Sequence, residues 1–177
     1  GCEVQSPATT AALIFAGLYP NVARVDAPKV PNDKQPLISA GGETLKLHPG
    51  SLCHGRVEGL HRTNNRWICY HTKLKTSASF LRDCTFLAPN ALLLFSGDPA
   101  GMNIHPMEKA VTLGIGSEKH WHTIYVAPRV AAAIRQLRYA FDATLRRKAT
   151  DPRQPLGAQD RQIISTYVSV LNSLDTE

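Results

Sequence analysis

Trp67-Ile68-Cys69-Tyr70-His71-Thr72-Lys73-Leu74 is the most regular stretch of the chain. Extended backbone sends successive side chains to opposite faces. The stretch therefore predicts a strand with Trp67, Cys69, His71 and Lys73 on one face and Ile68, Tyr70, Thr72 and Leu74 on the other. Aromatic and basic groups share the first of these faces. Immediately downstream, Leu81 to Leu87 supplies a second strand; Pro89 and the apolar run Ala91 to Phe95 then predict a short helix or a buried segment, closed by Gly97-Asp98-Pro99. Upstream, Leu45 to His48 alternates strictly and Pro49-Gly50-Ser51 turns the chain.

Farther out, Asn21 to Asp26 reads as a short strand, Pro28 to Gly42 as a surface loop, and Arg56 to Asn65 as a polar, basic, mobile segment. Val111 to Ile115 and Trp121 to Val126 read as a final strand pair around a turn from Gly116 to Lys119. These elements predict a mainly β fold of five to six short strands with flanking helices, one or two of them C-terminal α-helices. Residues 8–18 form a short helix that reads as the end of a preceding helical element. Pro128 opens a longer helix in which Val130, Ile134, Leu137, Phe141 and Leu145 recur at helical spacing, stopped by Asp151-Pro152. Gln159 to Leu174 repeats that pattern through Ile163, Tyr167 and Leu171. The expected division is 1–19 for the preceding element, 20–127 for the strand-rich unit and 128–177 for a helical extension.

Composition limits the class. Of 177 residues 43% are apolar and 19% charged, which suits a globular domain, and twelve prolines with twelve glycines imply many turns. No run approaches the roughly 20 apolar residues of a spanning helix. The start lacks a basic segment followed by an apolar one, so the chain is expected to be intracellular, with nothing that selects nucleus, cytoplasm or mitochondrion, and no membrane partner. Cys2, Cys53, Cys69 and Cys84 have no framework spacing and are expected to be reduced.

Charge is concentrated. Between residues 46 and 82, Lys46, Arg56, Arg62, Arg66, Lys73, Lys75 and Arg82 face Glu58 alone, so the whole net charge of +6 lies in 37 residues, together with His48, His54, His61 and His71. A polyanion suits such a segment, because neutralised phosphates release counterions; a solvated basic face is the other reading of the same charges.

Several chemistries are missing. There is no phosphate-cradling G-x-x-x-x-G-K-[ST], no Asp-Glu-x-His, no G-x-S-x-G and no His-Glu-x-x-His. No catalytic residue is expected. Cys53-His54, Cys69-x-His71, Cys84 and His120-x-His122 could ligate zinc only if the fold gathered them, and without a C-x-x-C pair no metal site is expected. Ser51, His48 and Asp83 are better read as turn, strand end and strand than as a hydrolytic triad.

Five segments occur together in a recognisable order: residues 16–25 (Ala-Gly-Leu-Tyr-Pro-Asn-Val-Ala-Arg-Val), Leu47-His48-Pro49-Gly50-Ser51-Leu52, Trp67 to Ser77, Leu81-Arg82-Asp83-Cys84-Thr85, and Pro89 to Phe95. The ordered set resembles the C-terminal OB-like region of DEAH/RHA-type RNA helicases. The resemblance implies an OB-like barrel packed against its own helicase core beside the single-strand path. It implies no cofactor in this chain, with ATP and magnesium bound by the absent core, and an excised piece of a longer polypeptide. It places His48 to Ser51 and Lys73 to Ser77 in RNA-facing loops. Lys73, Lys75 and Arg82 are then expected to neutralise phosphates, Ser51, Thr76 and Ser77 to donate hydroxyl hydrogen bonds, and His48 to stack or donate, with Lys46, Arg56, Arg62, Arg66 and Trp67 as additional candidates, although Trp67 and Tyr70 read as core or half-buried packing ahead of stacking platforms. The expected function is a single-strand RNA-binding accessory module of an ATP-dependent helicase. The alternative is a protein-interaction platform that recruits a cofactor through the loop from Asp26 to Glu43 and residues 155–177.

Overall fold

Apolar alternation in five strands closes a barrel in the computed structural model, which describes residues 6–28, 37–63, 66–114 and 121–173. Its strands are β1 (Val22–Asp26), β2 (Leu37–Ala40), β3 (Glu43–Leu47), β4 (Trp67–Lys75) and β5 (Ser79–Leu87), in the order β1-β2-β3-β5-β4. The β3–β5 pair is parallel, and β4 closes the ring on β1 antiparallel. Ala23, Val25, Ile38, Leu45, Leu47, Ile68, Leu81 and Cys84 fill the interior. Two strands differ from expectation. β2 lies inside the stretch read as a loop, where Leu37-Ile38 between a proline and a serine gives only a short apolar signal, and β3 starts two residues earlier, at Glu43. The rest of the predicted loop, residues 29–36, lies outside the described residues.

A helical layer covers one side of the barrel. α1 (Pro7–Leu18) is capped by Ser6, whose hydroxyl accepts from the Thr9 amide at 3.2 Å. α2 (Pro89–Phe95) is the short buried helix. α3 (Pro128–Thr150) and α4 (Ala158–Asn172) follow a separate three-stranded sheet, β6 (Met102–His105), β7 (Ala110–Gly114) and β8 (Trp121–Tyr125), paired antiparallel in that order. The final strand pair predicted from the sequence is thus β7–β8, but it belongs to this second sheet, and the barrel itself closes between residues 22 and 87. The predicted turn from Gly116 to Lys119 lies outside the described residues.

The α3 stripe is rotated from its sequence reading. Ala131, Ile134, Arg138 and Thr144 are buried, Leu137 and Phe141 are half-buried, and Val130 and Leu145 are exposed. The reason is Arg138, 2% exposed, whose guanidinium donates to the Ser96 carbonyl at 2.6 Å and to the Gly97 carbonyl. These acceptors follow the end of α2, where helical carbonyls lack intrahelical donors. Tyr167 of α4 donates to the neighbouring Leu94 carbonyl at 2.5 Å, and Asn90 of α2 donates in the other direction, to the Val170 carbonyl at 2.6 Å. Burial pulls Arg138 below its usual value against the opposing pull of Tyr167 and Asp142, and burial pushes the Tyr167 phenol up.

β4 and β5 serve both cores. Trp67, Cys69 and Leu87 belong to the helical-layer core, whereas Ile68, Cys84 and the half-buried Tyr70 and Phe86 belong to the barrel. The ladder then skips His71 opposite Asp83, and Asp83 adopts φ 53. A left-handed residue in both-sided pairing shifts the alternation by one. Leu81 and Cys84, three residues apart, consequently both face the barrel interior. Lys73 pairs with Leu81 and so falls on the interior face near the open end, not on the face of Trp67 and Cys69 as the sequence predicts.

Candidate nucleic-acid interface

The β4–β5 hairpin carries most of the candidate contacts, and its phase shift decides where they lie. At the barrel mouth, Glu43 accepts from the Lys73 ammonium and from the Ser79 hydroxyl. These two hydrogen bonds, with weaker help from the Lys73 and Lys75 charges, hold the Glu43 carboxyl below its usual range. Lys75 is exposed on the same side of the ladder, opposite Ser79. Thr76 closes the hairpin, its amide donating to the Ala78 carbonyl at 2.9 Å, and Ser77 stands exposed at the tip.

A second group lies on the outer face. Lys46 of β3 is in register with Phe80 of β5, and Arg82 is two residues along with no kink between, so Lys46, Phe80 and Arg82 share that face. Lys46 and Arg82 are exposed. Among the described residues, Lys73 is the one basic side chain between 46 and 82 that has a carboxylate at ion-pair distance.

The turn after β3 is a built feature. His48 donates its backbone amide to Leu81 at 2.9 Å, its Nδ1 accepts from the Gly50 amide at 3.0 Å, and its ring meets Phe80 edge-on at 6.1 Å. Ser51, 6% exposed, turns inward, accepting from the Cys53 amide at 3.4 Å and bonding to the Cys84 thiol. A hydroxyl so placed is not offered to a ligand on the surface, which corrects its expected role. Trp67, at 2% exposed, packs edge-on to His122 at 5.0 Å, so it is the core residue the sequence favours and not the additional contact it also offered. Arg66 lies 5.8 Å over the Trp67 ring, at the opposite end of β4 from the hairpin tip. Arg56 and Arg62 are exposed in the β3–β4 connection, Arg62 donating to His61 at 3.3 Å.

Sequence reasoning missed Glu43, Phe80 and Glu58 as residues of the site. Glu43-Thr44-Leu45-Lys46-Leu47 alternates throughout, and extending the strand to Glu43 would have placed a carboxylate opposite the hairpin. Phe80 and Glu58 line a cavity of about 320 Å³ that also takes in Ile38, Leu45, Lys46 and His54. A larger cavity of about 500 Å³ lies between β8 and α2, α3 and α4, with Leu93, Ile134 and Val170 on its walls.

Cys53 and Cys69 are buried and free, and burial pushes both thiols up to about 11. Among the described residues no group of three or more His, Cys, Asp or Glu side chains gathers in a metal-binding arrangement, and no helix is long and apolar enough to cross a membrane. His120, one of the weighed zinc ligands, lies outside them.

A closed five-stranded barrel with strand order 1-2-3-5-4, a helical backing and an outer cationic face define an OB-type module. The chain belongs to the oligonucleotide/oligosaccharide-binding (OB)-fold family, which matches residues 10–98, and it corresponds to the C-terminal OB-fold of DEAH-box helicases. It is similar to the ATP-dependent DNA/RNA helicase DHX36 of Homo sapiens, 31% identical over 144 residues, covering 80% of this chain and 13% of the relative. It is also similar to the putative ATP-dependent RNA helicase DHX57 of Homo sapiens, 27% identical over 189 residues (97% and 13%), and to the ATP-dependent RNA helicase DHX29 of Homo sapiens, 25% identical over 174 residues (96% and 12%). The chain therefore spans only about an eighth of the length of these relatives.

Proposed function

We propose that this chain is a single-strand RNA-binding accessory module of a longer ATP-dependent helicase polypeptide, in which ATP and magnesium are bound by the motor core and the barrel packs beside the strand's path and tunes the motor. The observation that carries the reading is the set of cations with no carboxylate at ion-pair distance among the described residues, Lys46 and Arg82 on the outer face of β3 and β5 and Lys75 at the mouth of the same OB barrel foremost. OB barrels present strands 2 and 3 and the loop between strands 4 and 5 to oligonucleotides, and such cations give up no ion pair when they meet phosphate. Lys73 differs, because phosphate competes there with Glu43.

Titration of a labelled single-stranded RNA by fluorescence anisotropy tests this. Binding with a dissociation constant on the order of 10⁻⁴ to 10⁻⁶ M, weakening steeply with salt, is expected from non-specific phosphate contact. Replacing Lys46, Lys75 and Arg82 with alanine should lower the magnitude of the log–log salt slope by about 2, because each phosphate neutralised on a single strand adds about 0.7 to it. An unchanged slope overturns this assignment of the three cations.

A second reading, a platform for a protein cofactor, is favoured by the apolar cavity beside β8 and by Tyr125, which is 73% exposed on that strand. RNA binding absent even at low salt would leave this reading standing in place of the first.

A further inference from the structure

The cavity of about 320 Å³ beside β3 borders the segment that holds all of the net charge, yet it is lined by that segment's one acidic residue, Glu58. Glu58 is exposed where it lines the cavity and forms no hydrogen bond or ion pair among the described residues. A lone carboxylate in a field of cations weakens phosphate binding. Its chemistry suits something else: it accepts hydrogen bonds only.

The walls are apolar and partly aromatic. Ile38 and Leu45 are buried, and Phe80 is half-buried, positioned by the edge of the His48 ring. Lys46 and His54, both exposed, line the same cavity. Unstacked bases of single strands are held by an aromatic or apolar wall with hydrogen bonds on their Watson–Crick edges, while cations next to them take the flanking phosphates.

We propose that this cavity takes one unstacked nucleobase against Phe80, with Glu58 accepting from its exocyclic amino group and Lys46 holding an adjacent phosphate. The inference rests on the RNA-binding reading above and adds base selectivity to it. Adenine and cytosine present an amino donor to a carboxylate; uracil presents carbonyl oxygens on both sides of its single imino donor, which a carboxylate repels. The site therefore discriminates against uracil.

Anisotropy titrations with short homopolymeric oligo(A), oligo(C) and oligo(U) RNA, on the full chain and on Glu58→Gln, provide the test. Oligo(A) and oligo(C) are expected to bind the native chain on the order of ten-fold more tightly than oligo(U). A glutamine keeps the size of Glu58 and can turn either its oxygen or its amide nitrogen to the base. It should bring the ratios close to one, chiefly by tightening oligo(U). Equal tightening of all three oligomers, with the ratios preserved, would mean that Glu58 acts only through its charge and overturns the proposal. Binding of all three with equal affinity by the native chain overturns it too, while leaving the RNA-binding reading in place. Absence of binding to any of them removes both.

Discussion

Asp83 holds a conformation that few side chains tolerate, φ 53 in the middle of a strand, and the arrangement of the hairpin depends on it. Aspartate is among the residues that enter the left-handed region most readily, and β-branched residues are among the least able to. Asp83→Val should destabilise the fold by about 1–3 kcal/mol, whereas Asp83→Gly should be close to neutral, as read from urea midpoints. The same residue explains why the candidate site is only partly legible in the sequence. Strict alternation from Trp67 correctly identifies a strand and its first four facings. Nothing in the letters His71 and Asp83 announces that the alternation slips there, so alternation alone assigns Lys73 to the wrong face. Ser51 misleads for a different reason: its polarity advertises binding, but here the hydroxyl serves a buried turn.

Elements are easier to read than their partners. Both terminal helices, the hairpin and β3 follow from apolar spacing and proline or glycine punctuation, because those signals are local. Which face of α3 is buried is not local, since it depends on Arg138 reaching the end of α2. α4 also proves to be structural. Its Tyr167 and Leu171 are buried in the helical-layer core, so removing residues 155–177 would strip the core and could not serve as a clean test of a docking role. The α3–α4 junction is held by Asp160, which accepts from Arg147, from the Gly157 amide at 3.1 Å and from Thr144 at 3.2 Å. The Arg147 hydrogen bond leads the causes that depress the Asp160 pKa. A depressed carboxylate stabilises the fold fully above its unfolded-chain pKa and stops doing so as pH falls through its folded value. Denaturation midpoints measured from about pH 5 downward should therefore decline less steeply in Asp160→Asn than in the native chain, and converge with it at the acid end.

At the scale of the molecule, the barrel and the helical layer share strands instead of a linker. Trp67, Cys69 and Leu87 lie in one core while their immediate neighbours Ile68 and Phe86 lie against the other. Loss of either core removes one face of the same two strands, so thermal unfolding should be a single transition, with tryptophan fluorescence and far-ultraviolet dichroism coinciding; two separated transitions would show that the layers melt independently.

The N-cap of α1 and the last turn of α4 meet: Ser6 and Thr9 both donate to Asn172, the latter at 3.1 Å. Tension applied through these two points therefore enters at one corner and acts on those bonds, not along the barrel's ladders. Under a steady pull in an optical trap the helices should peel away first at low force, and the rupture of the β4–β5 ladder should come later, as a separate event. In mechanical terms the Ser6–Thr9–Asn172 contact is a clasp, and load applied across it should reach the barrel only after the clasp opens.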